Sequence, residues 1–255
     1  MKKTAAQNSI RPWAVLFWLL VWQAASMALD KVTYLTLLVS PVQVLVRLGQ
    51  LLLTAEFWGS VAFSLSRIAA GFFLAAALAA VLAALSARFT VVRELLAPAM
   101  LAIKSVPVAS FIILALILFS SKNLAALISF LMVLPVLYTN VLTGIQSADP
   151  QLMEMAQVFR LSPARRVRYL YLPQVMPYFR SGCTVALGLC WKAGIAAEVI
   201  GIPKGSIGEH LQQAKVYLDI PDLFAWTLVI VLASLAFEKL VLAALNAAAR
   251  RLERM

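Results

Sequence analysis

The sequence predicts an all-α, polytopic integral membrane protein with about six transmembrane helices. Of its 255 residues, 63% are hydrophobic and only 13% are charged, whereas soluble domains average about 45–50% apolar and about 25% charged. The apolar residues gather in runs near the ~20 residues that a helix needs to cross a bilayer. The basic excess, a net charge of +11, is interleaved with those runs instead of collected on one polar domain. Interleaving fits the cytoplasmic bias of Lys and Arg in membrane proteins and sets aside a nucleic-acid-binding surface.

The first span is expected from Trp13 to Leu29. Lys2, Lys3 and Arg11 precede it in the manner of a signal peptide. No small-residue cleavage site closes the run, so it is read as a retained helix. Ser40-Pro41 through Thr54 reads as a short amphipathic helix outside this span. Further spans are expected from Val61 to Leu85, Ala99 to Phe119, Leu124 to Ile145, Tyr178 to Ile200 and Leu223 to Leu245. With the N-terminus inside, the cytoplasmic segments hold Lys2, Lys3, Arg11, Arg88, Arg93, Arg160, Arg165, Arg166, Arg168, Arg180, Arg250, Arg251 and Arg254. The outer segments hold only Lys31, Arg47, Lys122, Lys204 and Lys215. The asymmetry puts both termini in the cytoplasm.

Cys183 and Cys190 lie in one apolar run. Seven helical residues rise about 10 Å, too far for an unstrained disulfide. The single histidine, His210, has no ligand cluster around it, so neither a metal nor another cofactor is expected.

The segment of about 146–177 carries the most information. Asp149-Pro150 and Ser162-Pro163 each pair an N-cap residue with proline at the first helical position. Two short helices follow, Gln151 to about Arg160 and Pro163 to about Leu170, with Pro173 and Pro177 ending the second. The loop mixes Arg165, Arg166 and Arg168 with apolar Met153, Val158, Phe159, Leu161, Val167, Tyr169 and Leu170. Topology alone accounts for the charges, but not for the paired helices or the apolar residues among the charges, which suggest a docking element for another protein.

Glu154-Met155-Ala156, three residues, Arg160, nine residues, Leu170, Tyr171 and Leu172-Pro173 resemble the "EAA" loop of binding-protein-dependent ABC importer permeases. Met155 stands where the loop usually has alanine. Arg160 stands where it usually has glycine, a residue suited to positive φ at the bend. Ser64-Leu65-Ser66-Arg67, Gly71-Phe72, Lys104-Ser105-Val106-Pro107, Ala197-Glu198 and Ser206-Ile207-Gly208 are similar, in order, to segments of the sulfonate/nitrate/taurine branch. The resemblance implies a type I ABC importer permease fold, a single permease domain over residues 1–255, and a place in a bacterial inner membrane. It also implies a separate cytoplasmic ATPase dimer and an extracytoplasmic solute-binding protein as partners. Glu154, Ala156, Arg160, Ser162, Arg165, Arg166, Leu172 and Pro173 are the residues it implies for ATPase coupling. No G-x-x-x-x-G-K-[ST] string is present, so ATP hydrolysis is expected in another chain.

Arg67, Lys104, Lys192 and Glu198 lie in or near spans, where an ionisable residue needs a reason. They are the candidate substrate pathway. Arg67 either reaches the interface with its long side chain or pairs between helices with Glu198, which lies at similar depth, and the basic excess favours an anionic solute such as a sulfonate. Ala193, Ala197 and Gly201 form a small-residue stripe for close helix packing, within the chain or against another subunit. About six helices per chain also lead us to expect a second permease, as a homodimer by the commonest symmetry, with a paralogous partner equally compatible with the residues. The rival reading is a secondary transporter driven by an ion gradient, which would show inverted repeats with broken helices. A membrane enzyme is set aside for want of a catalytic constellation.

Overall fold

The computed structural model describes residues 12–30 and 39–253, and every regular element among them is helical. Lys2, Lys3, Arg11, Lys31 and Arg254 lie outside the described residues. The elements are α1 Pro12–Asp30, α2 Pro41–Leu52, α3 Ala55–Arg88, α4 Thr90–Ser105, α5 Val108–Leu118, α6 Ser121–Gln146, α7 Pro150–Val158, α8 Pro163–Arg166, a π-turn Val167–Tyr171, α9 Leu172–Gly201, α10 Ile207–Val216 and α11 Ile220–Glu253. Packing divides the chain, expected as one domain, into two compact units, Met1–Trp58 with His210–Val229 and Gly59–Glu209 with Ile230–Met255.

Among the described residues, four helices are long and apolar enough to cross a membrane: Ala55–Arg88, Ser121–Gln146, Pro163–Gly201 and Ile220–Arg250. The expected third span, Ala99 to Phe119, is instead a pair of helices meeting at 105°, which brings the count to five. Pro107 causes the break. It forces Val106 into extended backbone (φ −78°, ψ 131°), because the proline ring excludes α-geometry from the preceding residue. The first helix keeps its place, but its apolar stretch, Pro12–Ala28, is shorter than the usual crossing length.

In the larger unit, small residues let α9 pack tightly on α3 and α6. A side chain on Gly182 would collide with Asn140 and Leu137, and one on Gly194 with Ile68 and Ser129. Ala193 and Ala197 are buried with Ile112, Leu124 and Ile128, and Gly201 faces Leu124. The small-residue stripe therefore serves packing within the chain. Phe237 of α11 closes the same core with edge-on contacts to Phe72 and Trp191.

In the smaller unit, α2 starts with a capping box in which Ser40 and Gln43 satisfy each other's backbone N–H. Val39, Val44 and Ala225 form its core with Trp22, Leu48 and Phe224 around them. Arg47 Nε donates to Asp222 Oδ1 at 2.9 Å, tying α2 to α11. His210 lies flat on Trp226, ring centroids 4.5 Å apart.

Candidate functional site

Two sets of residues were expected to carry function, and both lie in the larger unit. The first is the loop at 147–172. Asp149 caps α7, its Oδ1 accepting from the Gln151 N–H at 2.9 Å. Its own N–H donates to Gln174 Oε1 at 2.8 Å, pinning the start of α7 to the start of α9. Gln174 carries no motif, and nothing in the sequence marks it as a clamp across 25 residues.

α7 ends in a Schellman turn. The Arg160 N–H donates to Gln157 O and the Leu161 N–H to Ala156 O, both at 3.0 Å. Arg160 sits at φ +47°. The left-handed bend survives with arginine in the glycine position, at a steric cost of about 1–2 kcal/mol for a residue with a Cβ. Ser162 starts α8 as expected, but its side chain makes no cap hydrogen bond.

Pro173 and Pro177 do not end the second loop helix. The helix runs unbroken from Pro163 to Gly201, 39 residues, through the π-turn Val167–Tyr171. The wider turn relieves the clash that a proline ring makes with the carbonyl four residues back.

The loop residues do not share one surface. Ala156 is fully buried and Leu170 nearly so, which makes both packing residues of their own chain. Pro173 is half-buried. Glu154, Arg160, Ser162, Arg165 and Leu172 are exposed and Arg166 is half-buried. Among them Val158, Phe159 and Tyr169 are 79%, 71% and 50% exposed. These apolar side chains stand open beside Arg160, Arg165 and Arg168, more exposed than apolar groups in a loop ordinarily are.

The second set is the intramembrane charges, and here the Arg67–Glu198 pair is not formed. Glu198 is fully buried. Its Oε2 accepts from Ser64 Oγ at 2.7 Å and from the Gly208 N–H at 3.2 Å. Ser64 Oγ in turn accepts from the Ile207 N–H at 3.0 Å. Gly208 lies so close to Glu198 that no side chain fits there. The carboxyl group thus staples α3, α9 and the N-terminus of α10 together, meeting N–H groups that the helix itself leaves open. It faces the inside of the bundle. Arg67 instead donates to Asn123 Oδ1 and lies over the Phe63 ring at 5.2 Å.

Lys104 and Lys192 are exposed. Lys104 Nζ donates to Thr139 Oγ1 at 3.0 Å. Lys192 is exposed on α9 together with Ser181, Thr184, Val185, Gly188 and Leu189, a mixed polar and apolar face, and Thr139 and Thr143 are exposed on α6.

Residues 76–254 match the family described as "binding-protein-dependent transport system inner membrane component". A probable ABC transporter permease protein of Brucella melitensis is 30% identical over 217 residues, 83% of this chain and 85% of that protein. A Bacillus subtilis protein assigned to aliphatic sulfonates transport as a permease is 28% identical over 74% of this chain and 69% of its own length. A crystal structure of an amino acid ABC transporter with histidines superposes with a TM-score of 0.52 at 15% identity, covering 75% of this chain and 90% of that one.

Proposed function

The chain belongs to the inner membrane components of binding-protein-dependent transport systems, and from that premise we propose that it forms half of the solute pathway of an importer for a small organic anion. It is the permease component of a binding-protein-dependent ABC importer, a multi-pass inner membrane protein that is not itself catalytic. Such a system has an ATPase and a binding protein as its partners.

The finer reading concerns coupling, assembly and solute. The 147–172 loop is the seat of the cytoplasmic ATPase dimer. The observation that carries this is the open apolar trio Val158, Phe159 and Tyr169 beside Glu154 and Arg165. Helix-in-groove recognition uses such anchors, with charges setting register. Ala156 supports the loop from within and does not touch the partner. Both termini are cytoplasmic on the basic-residue asymmetry. A second copy of the chain, forming one permease domain opposite the first, covers the exposed face of α9 around Lys192 and leaves the pathway between the two.

The solute is an anion such as a sulfonate. Lys192 and Lys104 expose two cations on span surfaces, while the one acid among the four candidate pathway residues, Glu198, is sealed inside the bundle. The Bacillus subtilis relative assigned to sulfonates supports the same class. The test is uptake of a labelled alkanesulfonate into vesicles holding this permease with its ATPase and binding protein. Uptake is expected to require ATP and the binding protein. Uptake driven by a proton or sodium gradient without ATP would overturn the reading and favour a secondary transporter.

A further inference from the structure

An apolar cavity of about 370 Å³ opens between α3, α6, the π-turn and the first turns of α9. Its lining contains no charged residue. The floor is made by Ala80 and Ala84, one helical turn apart on α3, and the walls by Ile145, Tyr171 and Phe179. Both alanines are exposed to this space. A second cavity of about 350 Å³ shares Ala84, Ile145, Val167 and Tyr171 with the first and adds Ala87 and Arg88. The two are therefore one groove, apolar along its length and cationic at one end. Arg88 is exposed and lies over the Phe89 ring at 5.8 Å.

That polarity matches an amphiphile. The groove lies at the loop end of the spans, where α3 stops at Arg88 and α6 at Gln146, which is where a headgroup layer meets hydrocarbon. Aromatic rings stand near that end, Phe89 beside Arg88 and Tyr171 in the lining of both cavities. A guanidinium at that depth reaches phosphate readily.

We propose that this groove binds one anionic phospholipid from the leaflet on the side of the 147–172 loop, an acyl chain lying over Ala80 and Ala84 and the phosphate meeting Arg88. The bound chain would rest against the π-turn that leads from the loop into α9, so the site touches the element on which coupling is proposed to depend. The inference needs only that the chain spans the membrane, and it stands apart from the identity of the solute.

The test is native mass spectrometry of the assembled transporter in mild detergent, titrated with dioleoyl phosphatidylglycerol and, separately, dioleoyl phosphatidylcholine. The wild type is expected to retain phosphatidylglycerol about fivefold more tightly than phosphatidylcholine, the preference one interfacial arginine supplies. Arg88→Gln should abolish the preference while leaving one lipid bound. Ala84→Leu, which fills open space without disturbing the buried side of α3, should remove one retained lipid per permease chain. Unchanged protection of the buried Cys183 and Cys190 from maleimide confirms that the variants fold. Equal retention of the two lipids by the wild type, or full retention by Ala84→Leu, would overturn the proposal. The same holds if a cross-linked second copy, and not lipid, occupies the groove.

Discussion

Replacing Glu198 by alanine tests the staple directly. The substitution strips the acceptor from two buried donors, the Ser64 hydroxyl at 2.7 Å and the Gly208 N–H at 3.2 Å. Each buried donor left without a partner costs about 1–3 kcal/mol. Relief from burying a carboxyl group offsets part of this, so the expected net loss is about 2–4 kcal/mol. Ser64→Ala removes one donor to Glu198 and the acceptor for the Ile207 N–H, with an expected loss of about 1–3 kcal/mol. Because the two residues share one network, the double variant should lose less than the sum, by about 1 kcal/mol or more. The assay is supplied by the chain itself. Cys183 and Cys190 are free and buried, so their reaction with a maleimide dye reports unfolding in detergent. A Glu198→Ala protein with the wild-type midpoint, or a double variant whose loss equals the sum, would refute the staple.

Three further outcomes follow from the same geometry. Arg160→Gly should raise stability of the loop by about 0.5–1 kcal/mol, the left-handed penalty less the extra unfolded freedom of glycine, and slow its proteolysis; faster cleavage would contradict the strain argument. Arg165→Glu with Arg166→Glu should weaken co-purification with the ATPase or uncouple hydrolysis from uptake, and wild-type assembly and transport would count against the docking surface. If Lys192 faces the solute, Lys192→Glu should abolish anion uptake while Lys192→Met retains part of it, in variants that assemble normally; wild-type rates in both would place Lys192 outside the pathway.

Spans and caps were legible because they follow from single residues or short periodic runs. Asp149-Pro150, Ser162-Pro163 and the apolar stretches of α3, α6, α9 and α11 all stand near where the pattern put them. What the sequence hid depends on distant partners. Pro107 breaks a helix that hydropathy averaged over, because apolarity says nothing about direction. Pro173 and Pro177 looked like stops, yet the π-turn absorbs the first and α9 carries the second within it, and a π-turn has no residue signature. Glu198 offered several partners by depth alone. Its choice of Ser64 and Gly208 over Arg67 required knowing which face of α9 meets α3. Ala156 matched a motif of the coupling loop, and its complete burial depends on packing that the motif does not show.

The unbroken helix from Pro163 to Gly201 behaves mechanically as a lever. Arg165 and Glu198 are 33 residues apart on it, roughly 50 Å along the axis at the usual rise. Tilting it by about 5° around its midpoint would shift each end by roughly 2 Å, an amount comparable to a hydrogen-bond length. A push at the arginine tip would then be felt as a pull on the Ser64–Glu198–Gly208 joint, less what the π-turn and the two prolines take up by bending. Softening the rod near its middle, for example with Gly-Gly, would leave both ends intact and disconnect them.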